Sequence, residues 1–308
     1  MPPRTKRKTS EQAKGFMEAC WGGRLSEVAK LVGIGFDLNA QHSQVLPFAR
    51  EEPFHDSRLT GLMYAALAGH TDVVKFLLSK GADVSVESRL SNTALCYAAP
   101  FGRTEIVELL LSRGANPNDV FTSLVPAGVL NLACIEGHLE TVRALIKHGA
   151  NVNAGKFGHP LRSAAEAGHL EIVRALVDAG ADANPPAGKP LIAAAARGRH
   201  EVVRLLLKSK ANVNCIGEFG LNPVKGTPLM WAARHGHSRT VKVLVAAKAD
   251  LEVLSNDWGE GRFTALGLAE KHGHLQAVRI LRNAGATITK EALAYKLRVR
   301  KGGEWVTS

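Results

Sequence analysis

A glycine recurs along this chain at a near-constant spacing, and the spacing argues for stacked repeats over one large globule. Gly23, Gly69, Gly102, Gly137, Gly168, Gly198, Gly236 and Gly273 follow one another at steps of 46, 33, 35, 31, 30, 38 and 37 residues, each between two short apolar segments. Self-similarity at that period predicts units that bury their faces against their neighbours, so that stability is close to a sum of local contributions. Twelve residues after six of these glycines stands another: Gly35, Gly81, Gly114, Gly149, Gly180 and Gly285. In the other two repeats the slot holds Lys210 and Lys248. The segment between the paired glycines therefore has fixed length, and the variation lies in the connections.

Within that segment apolar residues fall five, eight and nine places after the first glycine, as in Val74, Leu77 and Leu78 or Val203, Leu206 and Leu207. This is one stripe of an α-helix. The second glycine follows it, where a left-handed residue ends a helix. A shorter, alanine-rich helix precedes each first glycine, and its start reads Thr60-Gly-Leu62, Thr93-Ala-Leu95, His159-Pro-Leu161, Lys189-Pro-Leu191, Thr227-Pro228-Leu229 or Thr264-Ala-Leu266. Threonine caps a helix N-terminus and proline suits the first helical position. Tyr64, Tyr97 and Trp231 share one slot of these first helices and are expected to fill the space between helices.

The strings Gly137-His138-Leu139-Glu140-Thr141-Val142 and Gly168-His169-Leu170-Glu171-Ile172-Val173, with the ends Gly149-Ala150-Asn151-Val152-Asn153 and Gly180-Ala181-Asp182-Ala183-Asn184, resemble ankyrin repeats. The resemblance implies an all-α solenoid of antiparallel helix pairs with β-hairpin-like finger loops. Repeats are expected at about 10–39, 58–85, 91–118, 126–153, 157–184, 187–214, 225–252 and 262–288. Around this 10–288 solenoid we expect a disordered basic tail over 1–9, a capping helix over 289–300 and a short tail over 301–308. Thr9-Ser10-Glu11-Gln12 reads as a capping box opening the first helix, and Arg282 puts a polar residue in the stripe of the last repeat, as a terminal unit needs.

The net charge of +11 is uneven. Arg4, Lys6, Arg7 and Lys8 carry +4 and residues 289–308 carry +3, which leaves +4 for the repeats. The high pI alone does not argue for nucleic acid. The basic start is compatible with a nuclear localisation signal, so the expected compartment is cytoplasm or nucleus. No apolar run reaches the ~18 residues of a membrane helix, and no signal-peptide core follows the start. Cys20, Cys96, Cys134 and Cys215 are dispersed and read as buried, reduced thiols.

Three connections are overlong. Residues 40–59 carry Phe48 and Phe54, residues 215–226 carry Phe219, and residues 253–263 carry Trp258 and Phe263. Aromatics on such insertions suggest contact with a partner, against the alternative that the rings fold back on the stack. Lys210 and Lys248 in the helix-stop slot, and Pro100 near the end of a first helix, are departures from the lattice, and the two lysines predict that repeats six and seven are the softest.

No nucleophile elbow, phosphate-binding loop, dinucleotide fingerprint, His-Glu-x-x-His or Cys-x-x-Cys is present, so the chain reads as non-catalytic, with no catalytic, cofactor-binding or metal residues. His70, His138, His169, His237 and His274 all follow a lattice glycine, and turn histidines bonded to backbone account for them together. By the resemblance, the slots before each lattice glycine line a concave groove. Its first half offers Trp21, Leu67, Phe101 and Ile135, and its last three repeats offer Arg197, Arg234, His235, Lys271 and His272, with Trp258 and Phe263 on the loops. The expected function is a monomeric scaffold holding a protein or peptide with apolar anchors at one end and acidic or phosphorylated residues at the other. Two alternatives rank below it. One is an acidic ligand, nucleic acid or phosphoinositide, on the basic C-terminal repeats and tails. The other is a substrate adaptor or regulatory subunit of an enzyme complex. The stretch Leu31–Ala40 also resembles ankyrin-repeat sites of asparagine hydroxylation, which would place the modification at Asn39.

Overall fold

The structure, a computed structural model, describes residues 4–41, 56–122, 126–155, 158–186, 189–219, 222–255 and 262–287. Among them are sixteen α-helices in consecutive pairs and two short β-hairpins. The chain divides into two compact units, residues 1–160 and 161–308. The expected helix over 289–300, the tail after it, Phe48, Phe54 and Trp258 lie outside the described residues.

In the first unit the pairs are α1 (Arg4–Trp21) with α2 (Leu25–Gly33), α3 (Gly61–Ala68) with α4 (Thr71–Ser79), α5 (Ala94–Ala98) with α6 (Thr104–Ser112), and α7 (Val129–Glu136) with α8 (Leu139–Lys147). First helices pack on first helices and second on second: α1 on α3 on α5, and α2 on α4 on α6 on α8. The strands β1 (Val120–Phe121) and β2 (Ala127–Gly128) form an antiparallel finger before α7. The second unit continues with α9 (Pro160–Ala167), α10 (Leu170–Asp178), α11 (Pro190–Ala196) and α12 (His200–Lys208). The finger β3 (Gly217–Phe219) and β4 (Asn222–Gly226) follows, then α13 (Pro228–Arg234), α14 (Ser238–Ala246), α15 (Ala265–Lys271) and α16 (Leu275–Asn283). Here α11, α13 and α15 form one layer, and α10, α12, α14 and α16 the other.

Local rules place most boundaries. Thr60, Thr227 and Thr264 accept hydrogen bonds from the backbone N–H of Met63, Met230 and Gly267, and Pro160, Pro190 and Pro228 open their helices. Thr93 departs from this pattern: its hydroxyl donates to Asp119 at 2.6 Å and caps nothing. Pro100 shortens α5, whose α-helical path gives way to a 3₁₀ turn over Ala99–Phe101. The first helix begins at Arg4, not at the Thr9–Gln12 box, so residues 4–9 are helical and the expected disordered tail is corrected there. Arg, Lys, Glu, Gln and Ala are good helix formers, and the nearest helix breakers upstream are Pro2 and Pro3.

Every lattice glycine takes positive φ, from Gly102 at 63° to Gly168 at 93°, and so does every glycine of the second set. Lys210 and Lys248 adopt the same geometry at 65° and 60°, conforming to the lattice rather than breaking it. The first set carries a further constraint. A Cβ on Gly102 would lie 2.5 Å from His138 Nδ1, and Gly23, Gly198 and Gly236 are covered in the same way by His70, His237 and His274. Each ring also donates from Nε2 to the carbonyl two residues before the glycine it covers: Trp21, Pro100, Ala196 and Arg234, at 2.7, 3.0, 2.9 and 2.9 Å. Those carbonyls end a helix and have no intrahelical partner. Arg199 does the same work over Gly168, donating to Glu166 O at 3.3 Å.

A second set of bonds joins the finger loops. Asn39 accepts from the Asp83 N–H at 3.0 Å and Asn118 from the Asn151 N–H at 2.8 Å in the first unit. Asn184, Asn214 and Glu252 accept from Asn212, Asp250 and Thr287 in the second.

One buried charge stands apart. Asp56, 3 % exposed, receives Ser88 Oγ, Asn92 Nδ2 at 3.0 Å and Tyr97 Oη at 2.5 Å on one oxygen, and the Ser57 and Leu90 N–H groups on the other. Five donors in place of a cation meet the requirement that a buried carboxylate be hydrogen-bonded. Burial, and then Asp56, push the Tyr97 phenol up. The network ties the descending end of the long 40–59 connection to the 88–92 turn, and Asn92 carries it on to Thr122.

Two predictions follow from this packing. Alanine at Gly81, whose Cβ meets nothing within 4 Å, should cost about 1–2 kcal/mol of backbone strain. Alanine at Gly102 should cost more in the same denaturant titration, because the His138 ring must also move, and glycine at Lys210 or Lys248 should stabilise by about 1 kcal/mol. Burial raises the thiols of Cys20 and Cys96 to about 12 and Cys215 to about 11, and pushes Cys134 higher still. An aromatic disulfide reagent should therefore label half-buried Cys215 first in the native protein and the other three only as the chain unfolds.

Candidate functional site

The candidate residues sit at the C-terminal ends of the first helices, where the chain turns through the lattice glycine. In the first unit these ends are unequal. Ile135 is 42 % exposed, and Trp21 and Phe101 are half-buried. Trp21 packs edge-on to Tyr64 with centroids 6.4 Å apart. Leu67 is only 5 % exposed and belongs to the core, so it offers no surface to a partner. Tyr64, Tyr97 and Trp231 are buried and fill the space between helices.

In the second unit the same slots carry charge and rings. Arg197 is exposed, pairs with Glu166 Oε1 at 2.9 Å, and lies over the Phe219 ring at 5.1 Å. Phe219 meets Trp231 edge-on at 5.7 Å, and Trp231 Nε1 donates to Gly217 O at 3.3 Å. The β3–β4 finger is thereby docked on Trp231, and the Phe219 ring folds back on the repeats. His235 is exposed, stacks on Trp231 at 5.9 Å and on His237 at 6.0 Å, and donates from Nδ1 to Trp231 O. Lys271 lies 4.9 Å over Phe263, and exposed His272 stacks on His274 at 6.2 Å. Arg234 and Lys271 are half-buried.

Two sequence expectations are corrected here. Phe263 is wholly buried, with its N–H and C=O held by Ser255, so it is no partner contact. The basic run is also less uniform than its sequence: Glu166 engages Arg197, and Glu270 engages Arg282 at 2.5 Å. Glu166 occupies the slot before Gly168 in the preceding repeat and reaches Arg197 across the repeat boundary, and Glu270 lies one place before the Lys271 slot. Asn39, the candidate for hydroxylation, is exposed on its finger loop with Oδ1 occupied by the Asp83 N–H.

Partial loss of hydration, then the Arg234 and Lys271 cations, hold the pKa of the exposed His272 below its ordinary value, and burial lowers that of His237 against the bond to Ala196 O. Both groups favour the neutral ring in the folded state. Among the described residues no group of three His, Cys, Asp or Glu side chains could hold a metal ion, and no helix is long and apolar enough to cross a membrane.

A family model described as ankyrin repeats (3 copies) matches residues 16–120, 126–187 and 191–292. Among solved structures, the crystal structure of the human ASB11 ankyrin repeat domain is similar, with a TM-score of 0.63 and 24 % identity over 75 % of this chain and 100 % of that one. That likeness concerns the fold. No curated protein matches the chain in sequence.

The lowered histidines give a signed prediction. Between the ordinary histidine value near 6.5 and the lower folded values the unfolded chain binds more protons, so stability rises with pH across that window. Melting temperature should fall as pH is lowered from about 7.5 to about 5.5, and His272→Asn should flatten the slope.

Proposed function

The chain belongs to the ankyrin repeat family, whose repeats are generally protein–protein interaction modules, and we propose that it is a non-catalytic scaffold for a protein or peptide partner. The partner is held at the first-helix ends. The first unit supplies an apolar set, Trp21, Phe101 and Ile135, and the second a basic set, Arg197, Arg234 and Lys271, flanked by His235 and His272. The observation that carries this reading is the pair of positions before the lattice glycine in the second unit. One of the two is Arg or Lys in three successive repeats, as Arg197, Arg234 and Lys271, and in the last two repeats the other is an exposed imidazole. Arginine and aromatic side chains presented on rigid helix ends are the usual anchors of such interfaces, and arginine pairs bidentately with carboxylate or phosphate. The partner accordingly carries apolar side chains and acidic or phosphorylated residues in separate stretches.

Glu166 and Glu270 within the basic face favour a peptide over a polyanion, because a phosphate backbone needs a track of cations without carboxylates between them. The test is a pair of variants, R197E/R234E/K271E and W21S/F101S/I135S, used as tagged baits with capture read by mass spectrometry. Each should lose the partners retained by the wild type while melting within a few degrees of it. Retention of every partner by both variants would remove the assignment.

A further inference from the structure

The second-helix layer of the second unit carries a cleft of about 650 Å³ that the reading above does not use. Its walls are His200 and Arg204 from α12 and Arg239 and Lys242 from α14, over an apolar floor that includes Leu207 and Val243. The four charged or titratable groups come from the second helices α12 and α14, and none of them is among the first-helix end residues of the candidate site.

The repeat pattern explains why the cleft is cationic. Three places after the lattice glycine five successive repeats carry an acid: Asp72, Glu105, Glu140, Glu171 and Glu201. That acid serves cations on both sides. Within its own helix it pairs with the residue three places on, as Glu140 does with Arg143 at 2.7 Å and Glu201 with Arg204 at 2.8 Å. Across repeats it meets the basic residue of the preceding second helix, as Glu105 meets Lys75 at 2.5 Å. In the seventh repeat the acid is replaced by Arg239. The position equivalent to the Lys75–Glu105 ion pair is then Arg204 with Arg239, two guanidinium groups on opposite walls. Lys242 loses its intrahelical acid by the same replacement, and the next repeat offers Gln276 where an acid would stand. Arg204 keeps Glu201, which also lies 3.3 Å from His200 Nε2, but among the described residues neither Arg239 nor Lys242 makes an ion pair. Like charges held across a concave surface attract an anion of matching spacing. The half-buried Leu207 and Val243 between them favour a ligand with an apolar side chain among its acids over a bare polyanion.

We infer that the cleft between α12 and α14 is a second binding site, which takes an acidic peptide segment with a leucine-sized side chain set between its carboxylates. The probe is an N-acetylated, C-amidated hexapeptide of sequence Glu-Glu-Leu-Glu-Glu-Leu, titrated calorimetrically into the full chain. Saturable binding is expected, weakening as salt is raised. R239E/K242E should weaken it at least tenfold, R239Q/K242Q should weaken it to a lesser degree, and both should melt like the wild type, since the two side chains are exposed. Replacing both leucines of the peptide by serine should weaken binding several-fold. R197E/R234E/K271E should leave it unchanged, which separates this site from the first-helix ends. Absence of saturable binding to the wild type, equal binding by R239E/K242E, or binding of a homothymidine single strand in preference to the peptide would each overturn the inference.

Discussion

The contact on which the repeats depend is a side chain of one repeat lying flat on the left-handed glycine of the one before. At Gly102 and His138 the arrangement is explicit: φ of 63° lets the chain reverse, the missing Cβ leaves room for the imidazole, and the ring reaches over to bond the Pro100 carbonyl. One residue type therefore meets two requirements that would otherwise conflict. A larger residue could be forced to positive φ at a cost of about 1–2 kcal/mol, as Lys210 and Lys248 are, but it could not also make room for the ring. This is why lysine occurs in the second glycine set, where open space surrounds the position, and not in the first.

Because that contact recurs, the orphan carbonyls of successive first helices are met by the next repeat rather than by their own. The finger loops repeat the device at the other edge of the unit with asparagine and glutamate side chains. Each repeat thus completes its neighbour's polar groups as well as its apolar stripe, and adhesion is directional as well as hydrophobic. The Asp56 network is a local addition: where the long connection descends, a buried carboxylate gathers five donors, while His70 still covers Gly23 across the same connection.

The parts of this architecture that obey a period were legible in the sequence. The paired glycines, the threonine and proline helix starts, the turn histidines and the aromatic slot of Tyr64, Tyr97 and Trp231 could each be read by register, since one repeat's role fixes the others'. What could not be read depends on departures from the period. Phe263 lies at the end of an insertion, where a buried ring and an exposed one have the same local sequence. Asp56 sits beside Glu51, Glu52 and Pro53 in a stretch that looks solvated, and four of its five donors come from residues 32 to 41 places later. The Arg197–Glu166 pair joins slots of different repeats, so counting charges slot by slot overstated the cationic face. Thr93 matches its capping equivalents in sequence, but Asp119 competes for its hydroxyl.

The division of labour among slots has a consequence for how binding surfaces arise on such a scaffold. Stability resides in the glycines, the covering rings, the alanine-rich first helices and the buried stripe. The exposed slots of the second helices contribute little, since an exposed ion pair is worth about 0–1 kcal/mol. Exchange of an acid for Arg239 therefore changes the sign of a surface without disturbing the packing beneath it, where Val241 and Leu244 remain fully buried. The first-helix ends are less permissive, because the carbonyls of Trp21 and Arg234 accept bonds from the following repeat while their side chains stay only half-buried. Any residue there can vary only in its side chain, with its backbone held, and this combination presents a recognition group in a fixed direction at no entropic cost to the turn that carries it.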